Sequence, residues 1–339
     1  MDNVKLKKEY SSLMKRAREL TKEDCCFLCK KKVSSFCNSH SIPQFVMKNV
    51  SYNGKVLVGE NSISKEALLL DDIKGINNSW TFFSICNECD NVYFKNYENE
   101  SNLDISKIDN EIMAEIALKN FLQMIYKRKI EKKIDELLSP IFINEDVTKK
   151  LDLRDFTRDL NRAKNIIDKN LKSGMKIIFY RELDYVVPIA VQQTLSVYKD
   201  YRGYIVNDVL NAPDSEILHV AHIAVFPLKH KSVILVFSHK DDTNWRVLQR
   251  SIELLNYDDQ LIYVSYLIFK FTENYVISPR IDNNFINNEN LIKLSKESYD
   301  YKSKFIKPWE GFDMNCKLVD FRDVPCVFDK QFRLDKQNL

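Results

Sequence analysis

Two pairs of cysteines with the same internal spacing lie within the first hundred residues of this 339-residue chain. One pair is Cys26 and Cys29, and the other is Cys86 and Cys89. Thiolates spaced i, i+3 on a tight turn supply two corners of a tetrahedral site, so two such pairs supply all four corners. The spacing therefore predicts one zinc ion held by these four cysteines. Four protein ligands leave no open position, so we expect this zinc to be structural rather than catalytic.

A single histidine lies between the two cysteine pairs, in the segment CNSHSIPQF. This residue, His40, is the only histidine before residue 219. Imidazole has an unperturbed pKa of about 6.5, so its neutral form accepts a proton near neutral pH. His40 is therefore a candidate general base. In the alternative interpretation it only bridges the predicted hairpin to a neighbouring backbone carbonyl.

The order of these features resembles that of the zinc-stabilised HNH endonucleases. The shared order is Cys-x-x-Cys, Ser-His-x-Ile-Pro, a strand, Cys-x-x-Cys-Asp and a helix with an acidic residue, and it covers only about the first hundred residues. The resemblance implies a ββα-metal fold that grips the phosphates of DNA or RNA. It also implies that His40 deprotonates water while one divalent ion, Mg²⁺ or Mn²⁺, stabilises the leaving oxygen.

Other positions of the resemblance supply further candidate residues. Asp90 follows the second cysteine pair, where a histidine is typical, and a carboxylate is a suitable ligand for a hard divalent ion. Glu98 lies eight residues later on broadly the same side of the predicted helix, so the two carboxylates are expected to converge. Ser39 stands where many members have Asp or His, and Phe94 stands where a later histidine is expected. Asp90 as a simple N-terminal helix cap is the alternative interpretation.

The middle asparagine of the resemblance has several candidates. Asn78 lies well upstream of the second cysteine pair, whereas Asn87 and Asn91 flank it. Asn91 is carried forward as the catalytic candidate. With His40, Asp90 and Glu98 it completes the predicted catalytic set.

Two functions are consistent with these residues. The first is a metal-dependent HNH-like endonuclease that cleaves nucleic acid, DNA in preference to RNA, and the resemblance implies a bacterial effector of defence against phage. The alternative is a non-catalytic module in which zinc stabilises a surface that binds nucleic acid or a protein. In either case the rest of the chain is expected to sense a trigger, bind a protein partner or form a homo-oligomer.

The composition favours a globular protein. Hydrophobic residues make up 45% of the chain, charged residues 29%, and the net charge is +3. No apolar run reaches the ~18–20 residues of a membrane span, and the opening residues lack the apolar stretch of a secretion signal, so a cytoplasmic location without membrane contact is expected. Six of the eight cysteines precede residue 90, which in a reducing compartment favours metal binding over disulfides.

The elements around these residues predict an α+β fold. We expect an N-terminal zinc module (1–108), a helical connector (109–174) and a C-terminal domain with an antiparallel sheet and helices (175–339). Periodicity predicts helices at 4–20, 42–50, 88–98, 109–138, 145–172, 243–256, 258–273 and 289–306. Strands are predicted at 81–85, 203–208, 216–228, 231–239 and 275–279, with hairpins at 24–37 and 175–198. Residues 51–80 are predicted to be irregular, with turns at Asn53-Gly54 and Asn77-Asn78.

Overall fold

The computed structural model describes residues 3–59, 72–138, 147–208, 217–294 and 319–334. Its helices and antiparallel sheets confirm the predicted α+β class. Contacts divide the chain into two units. The first consists of Met1–Ser41, Thr81–Gly174 and Asn211–Leu218, and the second of Ile42–Trp80, Met175–Leu210 and His219–Leu339.

Helices make up most of the first unit. They are α1 (Asn3–Leu20), α3 (Asn87–Tyr93), α4 (Asn110–Leu138) and α5 (Val147–Asp168). The apolar faces of α4 and α5 pack together, with the rings of Phe121 and Phe156 6.2 Å apart. The predicted boundaries of α1 and α4 are confirmed to within one residue. Helix α5 ends at Asp168, earlier than the predicted residue 172, because Asn170 takes the left-handed conformation (φ 46°) that terminates it.

A short antiparallel ribbon completes the first unit. Strand β1 (Ser39–His40) pairs with β4 (Thr81–Phe82), so that Ser39 faces Phe82 and His40 faces Thr81. Strand β4 is shorter than the predicted 81–85. Helix α3 begins directly after Cys86 and ends at Tyr93, so the predicted continuous helix over 88–98 is wrong beyond that point.

The second unit contains a seven-stranded antiparallel sheet in the order β3-β2-β9-β6-β7-β8-β5. Its strands are β2 (Lys55–Val58), β3 (Asp72–Gly75), β5 (Met175–Leu183), β6 (Ile189–Leu195), β7 (Ala221–Pro227), β8 (Ser232–His239) and β9 (Tyr275–Ile277). All residues of β6 and β7 are buried, as expected of central strands. Helices α2 (Gln44–Val50), α6 (Trp245–Glu253), α7 (Tyr257–Phe271) and α8 (Asn283–Ile286) belong to this unit, and α6 and α7 contribute to its hydrophobic core.

Three expectations for the second unit are wrong. Strands β5 and β6 do not form a hairpin, because β5 pairs with β8 while β6 pairs with β7 and β9. Residues 203–208 form no strand; they make only an isolated bridge between Lys199 and Ile205. Residues 51–80, predicted to be irregular and placed in the N-terminal module, contribute β2 and β3 to the sheet of the second unit.

Two further observations concern the helices. Residues 289–294 are helical, and the remainder of the helix predicted at 289–306 lies outside the described residues. Within the described part of the chain, every helix is too short or too polar to cross a lipid bilayer.

Candidate functional site

The four predicted cysteines come together in the first unit. The sulfur atoms of Cys26, Cys29, Cys86 and Cys89 all lie within 4.8 Å of one another. The Sγ atoms of Cys29 and Cys86 are 3.9 Å apart, close to the ~3.8 Å edge of a tetrahedron with Zn–S bonds of about 2.3 Å. The group therefore fits a tetrahedral metal ion such as zinc.

Backbone N–H groups hold these sulfur atoms in place. The amide of Cys86 donates to Cys26 Sγ at 3.3 Å, and the amide of Cys89 donates to Cys86 Sγ at 3.5 Å. Lys30 adopts a left-handed conformation (φ 61°), and its amide donates to the carbonyl of Cys26 at 2.9 Å, which closes the first turn. Bonds from N–H groups favour the thiolate form that a metal ligand requires.

The thiols of Cys26 and Cys89 have pKa values shifted in opposite directions. Burial acts to raise the pKa of Cys26, but hydrogen bonds from backbone amides outweigh burial and lower the pKa to about 7. Burial raises the pKa of Cys89 well above its ordinary value. Four adjacent thiolates repel one another, so a divalent ion at their centre would offset that repulsion.

His40 lies on β1, half-buried and opposite Thr81. The preceding residue, Ser39, is buried, and its hydroxyl donates to Asp90 Oδ1 at 2.5 Å. This bond ties the strand that carries His40 to helix α3, which carries Asp90. Asn91, the next residue on α3, is exposed.

Asp90 and Glu98 do approach each other, but a lysine lies between them. The Nζ atom of Lys119 on α4 is 3.3 Å from Asp90 Oδ1 and 2.5 Å from Glu98 Oε1. The same ammonium lies 4.2 Å from the centre of the Phe94 ring. Lys119 is only 1% exposed, whereas the side chains of Asp90 and Glu98 are 17% and 34% exposed. The ion pairs are therefore reached by solvent only from the carboxylate side.

A divalent ion does not fit between these two carboxylates as they are arranged. It would have to displace the Lys119 ammonium, which is buried and held by both carboxylates and the Phe94 ring. Within the described part of the chain, His40, Asp90 and Glu98 do not form a second group of potential metal ligands like that of the cysteines. No catalytic step through Mg²⁺ or Mn²⁺ at Asp90 and Glu98 follows from this geometry.

A second buried polar residue of α4 holds the segment that carries Glu98. The carboxylate of Glu115 accepts hydrogen bonds from the amides of Asn96 and Tyr97 at 3.1 and 2.8 Å, and from the side chain of Asn96 at 2.8 Å. Burial raises the pKa of Glu115 to about 7, although these hydrogen bonds act to lower it.

Sequence reasoning missed both Lys119 and Glu115. Their signal is a four-residue repeat of polar side chains, Glu115, Lys119 and Gln123, within a stretch of helix whose other residues are apolar except for Asn120. All three are buried. Polar residues at this spacing share one helix face, so the repeat indicates a buried polar stripe.

The described C-terminal histidines form no comparable site. His222 on β7 is buried and stacked on Phe237 at 4.9 Å, and burial lowers its pKa to about 3. It is therefore a neutral core residue. His219 lies 3.1 Å from Asp242 and precedes β7 rather than pointing from it.

Comparison with known proteins returned no match: no protein-family model fits the chain, and neither the curated proteins nor the solved structures contain a significant relative.

Proposed function

We propose that the first unit hydrolyses phosphodiester bonds of nucleic acid, with a structural zinc ion at the four cysteines and His40 as general base. The observation that supports this proposal most is the pairing of its elements. Strand β1 with His40 pairs with β4, and helix α3 follows β4, so the three elements form a ββα arrangement although α2, β2 and β3 separate β1 from β4 in the chain. The second cysteine pair lies at the junction of β4 and α3. The cysteine group joins this junction to the turn that precedes His40.

In the proposed reaction, the neutral imidazole of His40 accepts a proton from the water molecule that attacks phosphorus. The new P–O bond forms as the bond to the leaving oxygen breaks, and that oxygen takes a proton from solvent. In this scheme Ser39, Asp90 and Lys119 contact neither the attacking water molecule nor the phosphate. They are positioning residues, because the chain of contacts from Lys119 to Asp90 to Ser39 holds β1 against α3.

Cleavage of plasmid DNA and of single-stranded RNA by the purified protein tests the proposal. Each reaction is run with Mg²⁺, with Mn²⁺ and without an added ion. General-base catalysis contributes about 10²–10⁴-fold, so His40→Ala is expected to lose at least about 100-fold of the cleavage rate. The matched control is His230→Ala, an exposed histidine of the second unit, which is expected to cleave like the parent. Equal rates for the parent and His40→Ala would contradict the proposal.

A non-catalytic zinc module that binds nucleic acid is the second candidate. The ion pairs of Lys119 favour it, because they neutralise the two carboxylates expected to bind a catalytic metal. This candidate predicts binding without cleavage under all three ion conditions, and equal affinity for the parent and His40→Ala. A role in defence against phage, and trigger sensing or partner binding by the second unit, stay predictions.

A further inference from the structure

A groove in the first unit is lined by aromatic rings that the proposed reaction does not use. The rings are those of Phe27, Phe36, Phe83 and Tyr126, and we call this surface the aromatic groove. Phe83 is 47% exposed, and the other three are half-buried. An exposed phenylalanine next to three partly open rings leaves flat apolar faces in contact with water, a feature more typical of binding surfaces than of ordinary protein surface.

Positive charge accompanies these rings. The ammonium groups of Lys30 and Lys129 lie 4.3 and 4.9 Å from the centre of the Phe27 ring, within the range of cation–π attraction. Lys129 also lines the groove and forms an ion pair with Glu23, which lines it as well. Two cations against one carboxylate leave a net positive charge beside the rings, so the groove complements an anionic ligand that has flat faces.

The aromatic groove adjoins the strand pair that carries His40. Phe83 follows β4 and lies two residues after Thr81, the cross-strand partner of His40. The intervening Phe82 is buried, and its ring lies 6.4 Å from that of Tyr126, which also lines the groove. Phe83 therefore lies just beyond the end of β4, two residues from the position that faces His40, so the groove is next to the strand pair.

From these observations we infer that the aromatic groove binds single-stranded nucleic acid and leads it to His40. Bases stack on Phe83 and the neighbouring rings, while phosphates approach Lys129 and Lys30. Stacking on aromatic side chains requires an open base face, which a duplex keeps covered, so unpaired strands are the favoured ligand. The inference rests on the proposed function in taking nucleic acid as the ligand, and it adds the substrate class and the residues that bind it.

Fluorescence anisotropy of a labelled oligothymidylate, titrated with the zinc-loaded full-length protein without added Mg²⁺ or Mn²⁺, measures this binding. Loss of one stacking contact is expected to make Phe83→Ala bind about tenfold more weakly. Phe83→Leu keeps apolar bulk without the ring and is expected to bind more weakly too, which separates stacking from loss of fold. Tyr204→Ala, an exposed aromatic of the second unit that lies beside Arg202, is the matched control and is expected to bind like the parent.

Two variants that each remove one charge from the groove are expected to change the affinity in opposite directions. Lys129→Gln is expected to weaken binding about threefold and to reduce the dependence of affinity on salt. Glu23→Gln removes the competing carboxylate of the groove and is expected to strengthen binding about threefold. A protein partner recognised through the rings would not require this pair of opposite effects.

The outcomes distinguish the groove from the catalytic proposal. Binding by the parent that is weakened in both Phe83 variants supports the groove, even where no cleavage occurs under any condition. Undiminished binding by Phe83→Ala and Phe83→Leu overturns it, even where His40→Ala abolishes cleavage. Failure of the parent to bind oligothymidylate overturns it as well, and a competition series with duplex DNA then shows whether paired strands are bound instead.

Discussion

At the scale of single residues, Lys119 is the feature that changes the interpretation of the site. An ammonium buried to 1% exposure is stable only when it is paired, because removal from water costs several kcal/mol. Asp90 and Glu98 supply that pairing, and the Phe94 ring adds a cation–π contact. The two carboxylates are therefore better explained as the counter-ions of an internal lysine than as ligands of a divalent metal.

Lys119→Met tests this explanation. It leaves Asp90 and Glu98 close together without their shared cation, and we expect a loss of about 2 kcal/mol in the free energy of unfolding, less than for a fully buried pair because both carboxylates reach solvent. Chemical denaturation of the zinc-loaded protein measures the loss. Lys132→Met, an exposed position of the same helix, is expected to change the stability by less than about 0.5 kcal/mol. Equal stability of the two variants would count against a structural role for the ion pairs.

The residues of the site differ in how far the sequence predicts them. The four cysteines were predictable because a Cys-x-x-Cys turn is a local pattern, and two such turns require each other to complete a tetrahedron. Lys119 was not predictable, since its partners Glu98 and Asp90 lie 21 and 29 residues away in sequence and it belongs to no motif. The convergence of Asp90 and Glu98 was expected from one continuous helix. In the structure Asp90 lies on α3 and Glu98 on the turn after it, and both carboxylates form ion pairs with Lys119.

At the scale of elements, α4 supports the site through Glu115. This carboxylate accepts two backbone N–H groups of residues 96 and 97 and so anchors the turn between α3 and the Glu98 position. Its pKa is raised from an ordinary 4.5 to about 7, mainly by burial. The folded protein therefore holds a proton on Glu115 more tightly than the unfolded chain does.

This shift predicts a pH dependence of stability. Between pH 4.5 and 7 the folded state binds more protons at Glu115 than the unfolded state, so the contribution of this group to stability falls as pH rises through that window and stays low above it. Glu115→Gln cannot titrate. Relative to the parent, its free energy of unfolding is expected to increase from pH 5 to pH 8, whatever its absolute value. Urea denaturation of both proteins at these two pH values measures the difference, which cancels any effect of acid on the cysteine group. A difference that is the same at both pH values would rule out titration of Glu115 in this window.

Helices and strands were also predictable to different degrees. The boundaries of α1 and α4 followed from apolar periodicity, which is a local property. Strand β2 was missed because it is short and because β9, its partner on the side away from β3, lies far along the chain. Strands β5 and β6 looked like a hairpin because they are adjacent in sequence. Since β6 is buried along its whole length, it needs a partner on each side, and β7 and β9 supply them.

At the scale of the whole molecule, the two units have separate sources of stability. The second unit has a hydrophobic core of its own formed by the sheet and helices α6 and α7. In the first unit, the segments around Cys26 and Cys86 are short, and the cysteine group joins them beside a few backbone hydrogen bonds, such as that from Phe27 N–H to the carbonyl of Ser84 at 2.8 Å. Small metal-bound segments of this kind lose their order when the metal is removed.

Removal of the metal is therefore expected to affect the units unequally. After treatment with a strong zinc chelator, hydrogen exchange measured by mass spectrometry is expected to show loss of protection in residues 26–40 and 81–93, while β7 and β8 keep theirs. Cys26→Ser is expected to reproduce this loss and to purify without stoichiometric zinc. Its neighbour Cys25 lies outside the cysteine group, so Cys25→Ser is expected to retain one zinc ion per chain. Equal protection with and without chelator would show that no metal maintains these segments.

The position of β2 in the chain has a consequence for biosynthesis. Val56 and Val58 of β2 are buried in the sheet. One of the two strands that pair with β2 is β9, which emerges from the ribosome long after β2 does. At ordinary translation speeds of about 5–20 residues per second, this edge of β2 stays unpaired for on the order of 10 to 40 s before β9 has been made. An exposed strand of this kind is prone to aggregate, so we expect the newly made chain to be most prone to aggregation before residue 277 has been added.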